Sequence, residues 1–121
     1  MRMPITLTDA QTLRHQLHDA GKQLVFTNGV FDLLHVGHLD YLEKARQLGD
    51  ALLVAINDDD STRAYKGVGR PLVPASERAR LLTALAPVDG VLLFADATAD
   101  ALLKAIQPHI YCKGGDYTPD T

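Results

Sequence analysis

Apolar residues along this chain fall into two alternating patterns, short continuous runs and repeats at three-to-four spacing. The alternation predicts strands separated by helices. Thr8-Asp9 followed by Leu13, Leu17 and Ala20 predicts a capped amphipathic helix closed by Gly21. Leu24-Val25-Phe26 reads as a buried strand, broken by Thr27-Asn28-Gly29 where the backbone must turn. Leu39, Leu42, Ala45, Arg46 and Leu48 mark a helix running from His38 to Leu48 and stopped by Gly49. The run from Asp50 to Ile56 is a second buried strand. Two strands whose centres lie ~25 residues apart, with a helix between, form a right-handed βαβ unit and pair in parallel.

The stretch from Asn57 to Ala75 shows no period and reads as a long loop carrying Arg63, Lys66 and Arg70. Ser76 is the expected cap of a helix with Glu77, Arg78, Leu81, Leu82 and Leu85, ending before Pro87. A third strand spans Val88 to Phe94, interrupted at Asp89-Gly90. Thr98 is the expected cap of a helix with Leu102, Leu103 and Ile106 that ends before Pro108. His109 to Lys113 is a fourth strand, followed by a second glycine turn at Gly114-Gly115-Asp116-Tyr117. The expected fold class is therefore α/β: a Rossmann-like, doubly wound parallel sheet in three αβα layers, one domain over residues 1–121. Such sheets bind ligands beyond the carboxyl ends of their strands. The turn after the first strand, the long loop and the second glycine turn all lie at that edge.

Composition narrows the class. Of 121 residues, 46% are hydrophobic and 22% charged, which excludes disorder. Net charge is −3 with no Lys/Arg run, so no nucleic-acid partner is expected. No apolar run approaches the ~20 residues of a membrane span, so no membrane partner is expected and a cytoplasmic location is the default. Cys112 is the one cysteine, which excludes an internal disulfide, and its apolar neighbours make it an inert packed thiol. His15 and His18 share a helix face but read as solvated.

The informative pair is His35 and His38, which bracket Gly37 at the start of a helix. A strand end, a tight turn and a helix N-terminus together point free N–H groups and a positive dipole end at an anion. Taken alone, such a pair reads as one capping and one core histidine. A zinc site with Asp32 as third ligand is the other option, but its spacing fits no familiar motif. Neither GxxxxGK[ST] nor GxGxxG occurs, and no Ser or Cys is visibly paired with a base. Transfer at phosphorus without a covalent intermediate remains, a chemistry of positioning and charge neutralisation.

Asn28-Gly29-Val30-Phe31-Asp32 through His35-Val36-Gly37-His38 resembles the HxGH signature of the nucleotidyltransferase superfamily, in its cytidylyltransferase-like branch. Lys66-Gly67 with Arg70-Pro71, Glu77-Arg78 and Lys113-Gly114-Gly115-Asp116-Tyr117 make it similar to the family that adenylylates D-glycero-β-D-manno-heptose 1-phosphate with ATP. The resemblance implies catalytic roles for His35, His38, Lys66 and Arg78. It implies nucleotide binding by Thr27, Asn28, Gly29, Phe31, Gly37, Lys113, Gly114 and Asp116. It further implies substrate binding by Asp32, Asp59 and Arg70, with Mg²⁺ as cofactor, ATP as co-substrate and a homodimer. Val30 stands where that family often has cysteine, a core position where the exchange is expected to be harmless. Related enzymes continue to a Ser-Thr-Thr-type motif, so the domain is expected to lack a C-terminal segment. Two other readings stay open: a cytidylyltransferase acting on glycerol 3-phosphate or another phospho-alcohol, and a nucleotide-binding module without catalysis.

Overall fold

Strand β1 (Leu24–Gly29) hydrogen-bonds on both sides, to β2 (Ala51–Asn57) and to β4 (Ile110–Cys112). With β3 (Gly90–Phe94) outside β2, the sheet order is β3-β2-β1-β4 and every pair is parallel. The chain thus moves outward from β1 to β3 and then returns to β4 on the other side of β1. That reversal puts the switch point, where a crevice opens beyond the strand ends, between β1 and β4. The chain's fold is described by a computed structural model covering residues 4–66, 69, 72–95 and 99–113, without the side chains of 61 and 64–66.

Alternate strand residues face opposite layers, as pleating requires. Val25, Leu52, Val54, Ile56 and Val91 pack with Leu42 and Ala45 of α2 (Val36–Gln47) and Ala79 and Leu82 of α4 (Ala75–Thr83). Leu24, Phe26, Leu53, Ala55, Leu92 and Phe94 pack on the other face with Ala10 of α1 (Leu7–Asp19) and Ile106 of α5 (Asp100–Ile106). These two cores make the three-layer αβα sandwich that the alternating runs predict.

The structure moves several expected boundaries. β1 continues through Thr27-Asn28-Gly29, because Val54, Ala55 and Ile56 of β2 pair with those residues. The backbone leaves the sheet after them, and Phe31 takes a left-handed φ of 51°. α1 starts two residues earlier than expected, with Thr6 as its cap: Asp9 N donates to Thr6 Oγ1 and Thr6 N to Asp9 Oδ2, both at 3.1 Å. The stretch expected as a loop contains α3 (Asp59–Lys66). Asp58 starts it, its carbonyl accepting from Thr62 N and, at 2.7 Å, from the buried Thr62 hydroxyl. α4 begins after Pro74 without a side-chain cap, so Ser76 lies inside the helix. α5 begins at Asp100 behind Ala99, while Thr98 lies outside the described residues.

Candidate functional site

The turn between β1 and α2 is built by its two histidines. Gly37 N donates to His35 Nδ1 at 3.0 Å, and His35 N donates to His38 Nδ1 at 3.2 Å. This is a reciprocal capping box with imidazoles in the places usually held by Ser or Thr and by Glu. It starts α2 at Val36, two residues before the helix expected from the apolar repeat. An Nδ1 that accepts leaves the proton of a neutral ring on Nε2. Both rings therefore offer Nε2 as their donor. Their centroids lie 4.0 Å apart, with planes tilted by 33°. The structure brings the two rings together at the start of α2.

Two neighbours hold this arrangement. A side chain at Gly37 would place its Cβ 2.8 Å from His35 Cε1 and 2.9 Å from Nδ1, so glycine is what lets the His35 ring fold back over the turn. The buried Phe31 ring packs against His38 with centroids 5.4 Å apart. Its left-handed backbone is unusual for a bulky residue and belongs to the strained conformations that gather at functional sites.

Arg78, Asp32 and Asp59 form a network of their own on the β2 side of the turn. Arg78 is fully buried; its Nε donates to Val73 O at 2.9 Å, Nη1 to Val30 O at 2.6 Å and Nη2 to Asp59 Oδ1 at 3.0 Å. Asp59 Oδ1 also accepts from Ala75 N at 2.8 Å. Asp32 Oδ1 accepts from Leu72 N at 2.8 Å and Val73 N at 2.9 Å. The groups that the family resemblance assigns to phosphate and sugar are here engaged with the backbone of 72–75, at the far end of the stretch carrying Arg70. The sequence offered no signal for this, since a buried arginine inside an apolar helix repeat looks like any exposed one.

On the other side of β1, Thr27 is buried and its hydroxyl lies 2.7 Å from Tyr41 Oη. The Tyr41 hydroxyl donates to the carbonyl of Lys113 at 2.8 Å. Asn28 Oδ1 accepts from the hydroxyl of Tyr111. Burial pushes the Tyr111 phenol above its ordinary value, with Asp100 adding to the effect. Burial also raises the Cys112 thiol, in keeping with an inert cysteine. Val30 is buried, as expected. Lys66 closes α3 with its side chain outside the description; Arg70, Gly114 and Asp116 lie outside the described residues.

Among the described residues no group of three His, Cys, Asp or Glu side chains is placed to hold a metal ion. The zinc option with Asp32 therefore has no partner set, and Asp32 and Asp59 already serve backbone amides. The described residues do not form a Mg²⁺ cage. Among the described residues no helix is long and apolar enough to cross a membrane.

Residues 26–121 match the family model described as cytidylyltransferase-like. The chain is 54% identical over 100 residues to the bifunctional protein HldE of Pelobacter propionicus, covering 83% of this chain and 20% of that protein. It is 48% identical over 120 residues to the bifunctional protein HldE of Methylococcus capsulatus, covering 99% of this chain and 25% of the relative. The chain thus spans a quarter or less of the length of these relatives. Among solved structures it is similar to the lipopolysaccharide core biosynthesis protein of Thermoplasma volcanium, with a TM-score of 0.68 and 31% identity. That match covers 75% of this chain and 73% of the other.

Proposed function

Because the chain belongs to the cytidylyltransferase-like family of nucleotidyltransferases, we propose that it transfers AMP from ATP to D-glycero-β-D-manno-heptose 1-phosphate, giving ADP-heptose and pyrophosphate. One observation carries the transfer chemistry: two imidazoles, each with its proton directed to Nε2 by a capping bond, side by side at the N-terminus of α2 beyond the carboxyl end of β1. The acceptor and base rest on the resemblance of the Lys66-Gly67, Arg70-Pro71 and Lys113–Tyr117 motifs, and on the relatives' similarity.

An oxygen of the sugar 1-phosphate attacks the α-phosphorus of ATP. The bond from that phosphorus to the bridging oxygen breaks, and its electron pair leaves with pyrophosphate. The nucleophile belongs to the substrate, so the enzyme supplies position and charge stabilisation. His35 and His38 donate from Nε2 to the phosphate oxygens on which charge accumulates. The first-turn amides of α2 add the positive end of the helix dipole. Lys66 and Arg70 are assigned to the phosphates and the sugar, and Asn28, Gly29, Phe31, Lys113, Gly114 and Asp116 to the nucleotide. Thr27, Arg78, Asp32 and Asp59 are assigned holding roles. Mg²⁺ would be held chiefly by the triphosphate's own oxygens and by water, and would supply neutralisation of the phosphate charge. ATP and a sugar phosphate place the reaction in the cytoplasm, and the family likeness implies a homodimer.

The test is pyrophosphate release by the full-length protein from ATP, CTP, GTP and UTP, each against heptose 1-phosphate and glycerol 3-phosphate. ATP with heptose 1-phosphate is expected to dominate, with loss of turnover in His38→Ala. Preference for CTP with glycerol 3-phosphate overturns the substrate assignment; binding without turnover overturns the enzyme.

A further inference from the structure

We infer that Tyr41 is a positioning residue for nucleotide, holding the histidine turn and the exit of β4 in register as the two grips on one ligand. The inference rests on the proposed nucleotide site and concerns how its two ends are joined. The Tyr41 hydroxyl has one proton, which it donates to Lys113 O at 2.8 Å, so the bond at 2.7 Å is donated by Thr27 to Tyr41. Direction is therefore fixed through the chain Thr27, Tyr41, Lys113. Tyr41 lies one turn after His38, on the same face of α2. Thr27 pairs in register with Cys112, the last residue of β4. One phenol thus joins the helix that carries the histidines to Thr27 within β1 and to Lys113, the first residue after β4, on either side of the switch point.

Tyr41, Ile110 and Cys112 all pack against the core on this face of the sheet, but apolar packing has no direction and leaves the spacing of α2 and β4 to the hydrogen bonds. Between α2 and β4 lies a cleft of ≈ 370 Å³ lined by Tyr41, Lys44, Leu48, Tyr111, Cys112 and Lys113. β4 is three residues long and pairs with β1 alone among the described strands. On the opposite sheet face, the Tyr111 hydroxyl donates to Asn28, so β4 is fastened to β1 from both sides. Of these two fastenings, only the Tyr41 one reaches α2. Removing its hydroxyl leaves each grip intact and frees their spacing.

The test compares ATP with inorganic tripolyphosphate, which needs only the histidine end, by calorimetry on the full-length protein. Tyr41→Phe keeps the ring and loses both bonds. It is expected to weaken ATP by about tenfold, the scale of a misplaced grip, and to leave tripolyphosphate within about twofold. Thr27→Val keeps the Lys113 bond and is expected to show the same selectivity with a smaller loss. It also serves as the reading should Tyr41→Phe fail to fold. Equal weakening of both ligands, or no weakening of ATP, overturns the clamp while leaving the proposed function standing. A parent protein that binds neither ligand overturns both.

Discussion

The imidazoles of His35 and His38 face each other at 4.0 Å while each holds a backbone amide of its own turn through Nδ1. The capping reading and the catalytic reading of this pair are therefore two uses of the same rings, one for each nitrogen. Capping fixes the tautomer and the ring plane, which is the preorganisation that charge stabilisation at phosphorus requires. The two uses are separable by substitution.

His35→Asn removes the distal donor but keeps a strong N-cap residue. Stability is expected to stay within about 1 kcal/mol of the parent, while turnover falls about 100-fold or more, as for loss of one transition-state donor. Thermal melting and pyrophosphate release on the same preparation check the pair of outcomes. A parallel fall in both would reduce His35 to a cap.

Gly37→Ala should give a similar split by another route. Alanine is the better helix former by up to ~1 kcal/mol, yet its Cβ would stand 2.8 Å from the His35 ring. The ring must swing away and the Gly37 amide must lose its acceptor. Turnover is expected to drop about tenfold or more with little change in melting temperature. The measurement is kcat with saturating substrates, since the defect lies in ring placement.

Arg78→Met is the stability counterpart. The guanidinium is buried and holds Val30 O, Val73 O and Asp59, so its removal leaves acceptors without donors in the interior. About 3 kcal/mol of stability is expected to be lost, at the low end for a broken buried pair because Asp59 is partly exposed. Arg78→Lys should recover little, since one ammonium cannot reach three acceptors in a planar fork. Urea unfolding of both variants checks this; a loss below about 1 kcal/mol would mean that the segment at 72–75 is held by Asp32 and Asp59 without the arginine.

The sheet and its parallel order are legible in the apolar runs because burial on both faces leaves no polar alternation to misread. The histidine turn is legible as a site because glycine and two imidazoles at a strand end have few other uses. Other parts depend on tertiary partners. α3 is hidden in the sequence because Asp59 to Lys66 has few apolar residues, and a buried threonine fastens its first turn. His35 is an uncommon cap, so the apolar repeat predicts the start of α2 two residues later than it lies. The resemblance points to Arg78 as a phosphate ligand and not as a buried tie, and nothing in the sequence points to Tyr41, since most of their partners (Val30, Asp59, Thr27 and Lys113) lie 14 or more residues away.

The last prediction concerns pH and the opposite edge of the sheet. His109 Nδ1 accepts from Leu24 N at 2.9 Å, so a neutral His109 carries its proton on Nε2, 3.1 Å from His18 Nδ1. The rings stack with centroids 5.4 Å apart, joining α1 to the starts of β1 and β4. Burial lowers the His109 pKa below its usual 6.5, with Arg14 and His18 lowering it further. The unfolded chain therefore binds a proton at a higher pH than the folded chain does. Stability must rise with pH across that interval and fall as the solution is acidified from 6.5 through the folded value. Protonation also removes the acceptor from Leu24 N, so the strain falls where β1 begins. The urea midpoint is expected to drop as the solution is acidified below 6.5, and His109→Asn should flatten that slope. A midpoint equally steep in the variant would assign the acid sensitivity to other groups.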